Sequence, residues 1–252
     1  MSVVRAIPFA SPDGVELAVD VYHVDGESNR PAIVLLGPGG WGRSSRETVP
    51  DLATALARQG LVVFVGDLRL ACDGQSPLCG YHYPAPQTDV HSLLRFATSH
   101  GAAYGARAGP VGVFGLSSGG ELALSAAFTE AGASRPGAVV AWSAPTSFAE
   151  LVSNPVAGPI IARYLGCEYA RCPGRWREAS PIAHASGSAP PTLLVSSGGD
   201  PQVPATQSRS LYQALHSAGA TAELDIEPGA DHAQFGPSIV IRCAEFLIRH
   251  LS

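Results

Sequence analysis

Three residues in this chain have the types and spacing for nucleophilic catalysis. Ser117 stands in Gly115-Leu-Ser-Ser-Gly119, between the apolar run Val111-Gly-Val-Phe114 and a helical pattern from Gly119 to Thr129. Gly-x-Ser-x-Gly between a strand and a helix is a nucleophile elbow. It is a sharp turn that exposes the serine Oγ above a sheet, with the following helix N-terminus facing any developing oxyanion. Such a serine needs a base and an orienting acid, in the chain order Ser, acid, His. Asp200 lies a few residues past the run Thr192-Leu-Leu-Val195, and His232 a few past Ala222-Glu-Leu-Asp-Ile226. His232 Nε2 would take the Ser117 proton, and Asp200 would hold Nδ1–H and stabilise the imidazolium. Asp231 is the rival acid, but an adjacent residue points its side chain away from its neighbour, so Asp200 is preferred.

A fourth loop completes the set. After Ala32-Ile-Val-Leu-Leu36 come Gly37-Pro-Gly-Gly-Trp-Gly42. Pro38 has no N–H, so Gly39 or Gly40, together with Ser118, would supply the oxyanion hole. Gly37, Gly39 and Gly42 also fit Gly-x-Gly-x-x-Gly, with Asp67 after the next strand. A dinucleotide site on that spacing leaves Ser117, Asp200 and His232 unexplained and ranks lower.

These loops need a sheet to hold them. Continuous apolar runs at Ala32–Leu36, Leu61–Val65, Val111–Phe114, Ala138–Trp142 and Thr192–Val195 read as buried parallel strands. Val15–Tyr22 alternates as an edge strand does, Ser2–Ile7 is a short first strand, and Ala222–Ile226 is the last. Helical patterns cover Ser45–Gln59, Thr88–Ala103, Gly119–Thr129, Gln207–Ala218 and Pro237–Leu251. Strands separated by single helices give βαβ crossovers and a mostly parallel eight-stranded sheet with helices on both faces. Residues 145–188 lack strand patterns and read as a small cap insertion with short helices. At roughly 150 residues per domain the length would allow two small domains. The site draws on strands from both halves, so 1–252 is expected to be a single domain.

Composition narrows the function. The 252 residues are 46% hydrophobic and 15% charged, with a net charge of −5. That composition suits a sizeable core and offers no basic field for nucleic acid or an anionic membrane surface. Every one of the 16 cationic residues is arginine. Schiff-base and Ser–Lys chemistry are thereby excluded, which leaves His232 as the base. No apolar run reaches the ~20 residues of a membrane span. The start lacks the apolar core of a secretion signal, so the expectation is a cytoplasmic protein. Against that, Cys72/Cys79 and Cys167/Cys172 are close pairs, with Cys243 apart in a helical pattern. The spacing leaves open five reduced thiols or two disulfides and a buried thiol, with reduced thiols favoured for Cys72/Cys79. The second arrangement would suit secretion. Zinc spacing is absent, and no metal site is expected.

The motifs together resemble the α/β-hydrolase fold, in particular its serine esterase branch of bacterial acetyl and feruloyl esterases, prolyl oligopeptidases and dienelactone hydrolases. The resemblance runs from about Val15 to the C-terminus. It rests on Gly37–Trp41, Gly115–Gly120, Ala179-Ser-Pro-Ile182, Pro190–Leu194, Asp200-Pro-Gln-Val-Pro204 and Gly229–His232. It implies the triad Ser117, Asp200 and His232, no cofactor, and a small-molecule ester substrate. It also lends weight to a Cys167–Cys172 disulfide. One departure stands out: Gly37 and Pro38 occupy the places of a histidine and a glycine in the usual loop, and that histidine braces it.

Ester hydrolysis through an acyl-enzyme is therefore the expected activity. Thioesterase, cyclase or peptidase-like acyl transfer would use the same triad, and a non-catalytic binding protein on this scaffold is a third class. Trp41 and Trp142, beside the catalytic loops, are the candidate substrate-binding residues. Tyr81, Tyr83, Phe148 and Trp176 are read as packing. Arg43, Arg46, Arg163, Arg171, Arg175 and Arg177 could grip a carboxylate, although solvated surface positions are the ordinary reading. The short cap favours small or medium substrates, and the protein is expected as a monomer or homodimer.

Overall fold

The structure, a computed structural model, describes residues 1–229, 231–233 and 236–252. Its strands are β1 (Ser2–Ala10), β2 (Leu17–His23), β3 (Ala32–Leu36), β4 (Val62–Gly66), β5 (Gly112–Leu116), β6 (Val139–Trp142), β7 (Thr192–Ser197) and β8 (Ala222–Glu227). They form one sheet in the order β1-β2-β4-β3-β5-β6-β7-β8. β1 and β2 pair antiparallel, β2 joins β4 antiparallel, and every later pairing is parallel. This is the α/β-hydrolase architecture that the sequence resemblance implied.

The helices are α1 (Pro50–Arg58), α2 (Ala85–His100), α3 (Ser118–Thr129), α4 (Ala157–Leu165), α5 (Pro173–Glu178), α6 (Thr206–Ser217) and α7 (Pro237–Leu251). Strand residues alternate between two cores, because successive side chains leave a strand on opposite faces. Val34, Phe64, Val113 and Leu194 pack with residues of α2, α3 and α6. Ile33, Val63, Phe114 and Leu193 pack with residues of α1 and α7. With both faces covered, the central strands are apolar throughout, which is why they read as unbroken runs.

α1 begins five residues later than its periodicity predicts. Ser45 N–H donates to Thr48 Oγ1 at 2.9 Å and Thr48 N–H to Ser45 O at 3.0 Å, so a turn occupies the expected first helical turn. Val49 precedes a proline and is held out of the helical region, at φ −131°. Pro50 then starts the helix, where its missing N–H costs nothing.

Residues 145–188 carry α4, α5 and two short 3₁₀ turns. Gln207 of α6 fastens the start of this cap: its Oε1 accepts from the N–H groups of Thr146 and Ser147, at 2.9 and 2.8 Å. A Cys167–Cys172 disulfide links the end of α4 to the start of α5. Cys72 and Cys79 are also joined, with a Cα–Cα distance of 4.9 Å. That corrects the expectation of reduced thiols there: a backbone turn with Gly80 N–H donating to Cys72 O at 3.0 Å folds the loop back on itself. Cys243 is free and buried. Among the described residues, no helix is long and apolar enough to cross a membrane.

Candidate active site

The loops at the carboxyl ends of β3, β5, β7 and β8 converge. Ser117 sits between β5 and α3 at φ 52°, ψ −122°, a conformation that side chains rarely adopt and that costs about 1–3 kcal/mol. The glycines around it are required by contact. A Cβ on Gly115 would lie 2.0 Å from Gly119 O, and one on Gly119 would lie 2.4 Å from Leu36 O. The elbow is pinned by Ser117 N–H, which donates to Trp142 O at 2.8 Å.

His232 Nε2 stands 2.8 Å from Ser117 Oγ, and its Nδ1 stands 2.6 Å from Asp200 Oδ2. A carboxylate accepts only, so Nδ1 carries the proton and Nε2 is left to accept the serine hydroxyl. Asp200 Oδ1 takes the N–H groups of Gln202 and Val203, at 2.9 and 3.0 Å. Burial would raise this carboxyl, but the hydrogen bond from His232 and those two N–H donors outweigh it and hold it below the usual carboxylate range. Two backbone bonds tie the loops together: Gly198 N–H to Glu227 O at 2.8 Å and Gly199 N–H to Gly229 O at 2.6 Å. Asp231 is exposed, and the partner of Nδ1 is Asp200.

Gly39, Gly40, Trp41 and Ser118 line one cavity of about 400 Å³ with Ser117 and His232. That volume suits a small to medium ligand. The glycine loop closes tightly: Gly42 N–H donates to Gly39 O at 3.1 Å, and a Cβ on Gly39 would lie 2.8 Å from Ser44 N. Gly39 and Gly40 take φ 147° and 60°. The dinucleotide reading fails here for a physical reason. The loop does not run into a helix N-terminus, since α1 begins only at Pro50, and Asp67 is occupied by an ion pair with Arg46.

Trp142 corrects the substrate-binding expectation. It is the last residue of β6, fully buried, and lies in the core shared with Leu193, Val195 and Cys243. Strand alternation sends its side chain to the α7 face, away from the cavity. Trp41 does line the cavity, yet most of its ring is spent on packing. It stacks on Tyr164 with ring centroids 4.4 Å apart and meets Phe148 edge-on at 5.6 Å.

One residue escaped the sequence reading. Glu121, on the first turn of α3, is wholly buried, and Trp41 Nε1–H donates to its Oε2 at 2.8 Å. Its Oε1 accepts from Ser125 Oγ at 2.6 Å and Gln87 Nε2 at 3.2 Å. Burial pushes this carboxyl up to about 7 despite those three donors. The signal was present: one acid in the otherwise apolar and small stretch Gly119–Ala127.

A family model named BD-FAE matches residues 19–215, well over half of the chain. The chain belongs to the BD-FAE family. This BD-FAE chain is also 28% identical over 244 residues to Esterase LipQ of Mycobacterium tuberculosis, covering 90% of this chain and 56% of that protein. It thus spans only about half the length of that relative. Among solved structures, a truncated carbohydrate esterase from gut microbiota superposes with a TM-score of 0.87 at 21% identity, covering 99% of this chain and 96% of that one. Thermogutta terrifontis esterase 2 phosphonylated by sarin gives 0.80 at 22%, covering 98% and 95%.

Proposed function

We propose that this BD-FAE member is a serine hydrolase that cleaves carboxylic esters of small to medium substrates. The observation that carries the reading is the chain of hydrogen bonds from Ser117 Oγ through His232 to Asp200. The names of LipQ and of the two structural neighbours support it, since each is called an esterase.

Ser117 Oγ attacks the acyl carbon while its proton passes to His232 Nε2. The negative charge that develops on the carbonyl oxygen is received by N–H groups of Ser118 and of Gly39 or Gly40. Collapse expels the alkoxide, which leaves as the alcohol with the proton from His232, and the acyl group stays on Ser117. Water then gives a proton to the same Nε2 and attacks the acyl carbon. The acid is released, and the proton returns to Ser117. Asp200 remains a carboxylate throughout and steadies the imidazolium. Glu121 acts at one remove as a positioning residue: it fastens Trp41, the neighbour of Gly40, where the usual loop is braced by a histidine.

The test is hydrolysis of short p-nitrophenyl esters by the unmodified protein and by Ser117→Ala. The variant is expected to lose ~10⁴-fold or more in kcat. A protein inert both to these esters and to serine-directed phosphonates would overturn the proposal.

A further inference from the structure

The cavity beside Ser117 has mostly apolar walls, among them Ile160, Ile161 and Val203, and no carboxylate lines it among the described residues. Among the described residues that line it, the arginines are Arg43 and Arg163, which reach it from different elements. Arg43 follows the glycine loop, and Arg163 lies on the last turns of α4. The two sit on either side of Gly42: Arg43 is its chain neighbour, and Arg163 Nη2 lies 3.5 Å from where a Cβ on Gly42 would stand.

Among the described residues, seven of the other arginines are ion-paired to carboxylates, and those left unpaired do not line this cavity. Arg46 is held by Asp20 and Asp67, Arg69 by Asp89 and Asp13, and Arg242 by Glu223 and Asp225. Arg175 donates to Leu165 O at 2.9 Å. Among the described residues, Arg43 and Arg163 have no carboxylate within ion-pair distance, although the chain carries 21 acidic residues. Their backbones are fixed even though their side chains are exposed. Gly39 packs on the Arg43 carbonyl carbon, and Arg163 O accepts from His82 Nδ1 at 2.7 Å.

An apolar pocket rimmed by two unpaired guanidiniums fits a ligand with an apolar body and a carboxylate at its far end, since guanidinium pairs with carboxylate in a fork geometry. We infer that Arg43 and Arg163 form a subsite for a carboxylate on the substrate, so the preferred esters are those that carry a second, ionised acid group. The inference rests on the ester-hydrolase reading and narrows it to a substrate class.

Two chain-matched pairs test it, one for each side of the ester bond. The mono-p-nitrophenyl ester of glutaric acid is compared with p-nitrophenyl pentanoate, and 4-acetoxybenzoate with phenyl acetate. In at least one pair the anionic ester should show a kcat/KM roughly fivefold above its intrinsic-reactivity-corrected neutral partner at low salt, mainly through KM. The preference should shrink in high salt and vanish in Arg43→Gln/Arg163→Gln. Arg177→Gln, exposed and outside the cavity, should keep it. Turnover of both pairs with no anionic preference, or a preference that survives the double variant, overturns the subsite and leaves the hydrolase standing. Absence of any turnover overturns both.

Discussion

Two carboxylates flank Ser117, and they are opposites. Asp200 lies past β7 and accepts three N–H donors, so it stays charged. Glu121 lies beneath the glycine loop, takes donors from Trp41, Ser125 and Gln87, and is nonetheless driven up to about 7. Both side chains are buried, so the difference lies in the kind of donor. Asp200 is reached by two backbone amides and by the imidazole N–H of His232. Glu121 is sealed off, with no cation among its hydrogen-bond partners. One side of the site therefore keeps its charge, and the other carries a group that can lose it.

The largest effect should come from the charged side. Asp200→Asn keeps the shape but lets Nδ1 face an amide, which favours the wrong tautomer of His232. A fall in kcat of about 10⁴-fold is expected, with binding of a neutral ester affected far less. Steady-state kinetics at a single pH measure it. A loss under tenfold would mean that Asp200 is not the orienting acid.

The second prediction sharpens the contrast through pH. Glu121 rises from an ordinary 4.5 to about 7 in the fold, so folding favours its protonated form. Its contribution to stability is complete below about pH 4.5 and is lost as pH rises through 7. The span is worth about 3 kcal/mol. Glu121→Gln is neutral at every pH and removes that loss. Urea unfolding at pH 5 and pH 8 should therefore show the variant gaining on the parent at pH 8. Asp200 has the opposite sign, with stability lost only as pH falls below the ordinary carboxylate range. Asp89 and the histidines are common to both proteins and cancel. Parallel curves for parent and variant would show that Glu121 is ionised at little cost.

How far the sequence disclosed these two sides follows the same division. Ser117, Asp200 and His232 each follow an apolar strand at the same end of the sheet, so order and phase marked them, and the structure brings them within hydrogen-bond distance. Strands with both faces buried were legible for the same reason. Glu121 was not marked, because its meaning depends on Trp41, 80 residues away, folding over it. Trp142 misled: proximity to a loop in sequence says nothing of the face on which a strand's last side chain falls. The start of α1 was misplaced because apolar periodicity cannot see a Ser45–Thr48 turn.

The cap contributes a smaller effect. Cys167 and Cys172 close a loop with a sequence separation of 5. By loop-closure entropy the bridge is worth about 2 kcal/mol, less than a long loop would give. Replacing both by serine should lower stability by that amount in urea unfolding. The replacement should act on the Glu121 side, because α4 carries the Tyr164 that stacks on Trp41. Asp200 and His232, tied by β7 and β8, should keep their hydrogen bond, seen as an unchanged low-field Nδ1–H proton resonance. Loss of that resonance would show that the two sides are not independent.

Trp41→Phe is the mildest break. The ring that stacks on Tyr164 is kept in part, and the one N–H that reaches Glu121 is removed. If Glu121 positions the glycine loop through that bond, kcat should fall about tenfold while KM moves little, since misplaced oxyanion donors act on the transition state. The same change leaves Glu121 with one donor fewer and should push its carboxyl further up. The pH at which stability is lost should rise with it. A structural defect alone would lower stability equally at pH 5 and pH 8. Combining Trp41→Phe with Glu121→Leu, which leaves no acceptor for the indole N–H, then separates the two accounts, because changes that break one shared bond are not additive. If the double variant loses as much as the two single losses multiplied, the indole and the carboxyl act separately, and the loop is held by packing on Tyr164 and Phe148.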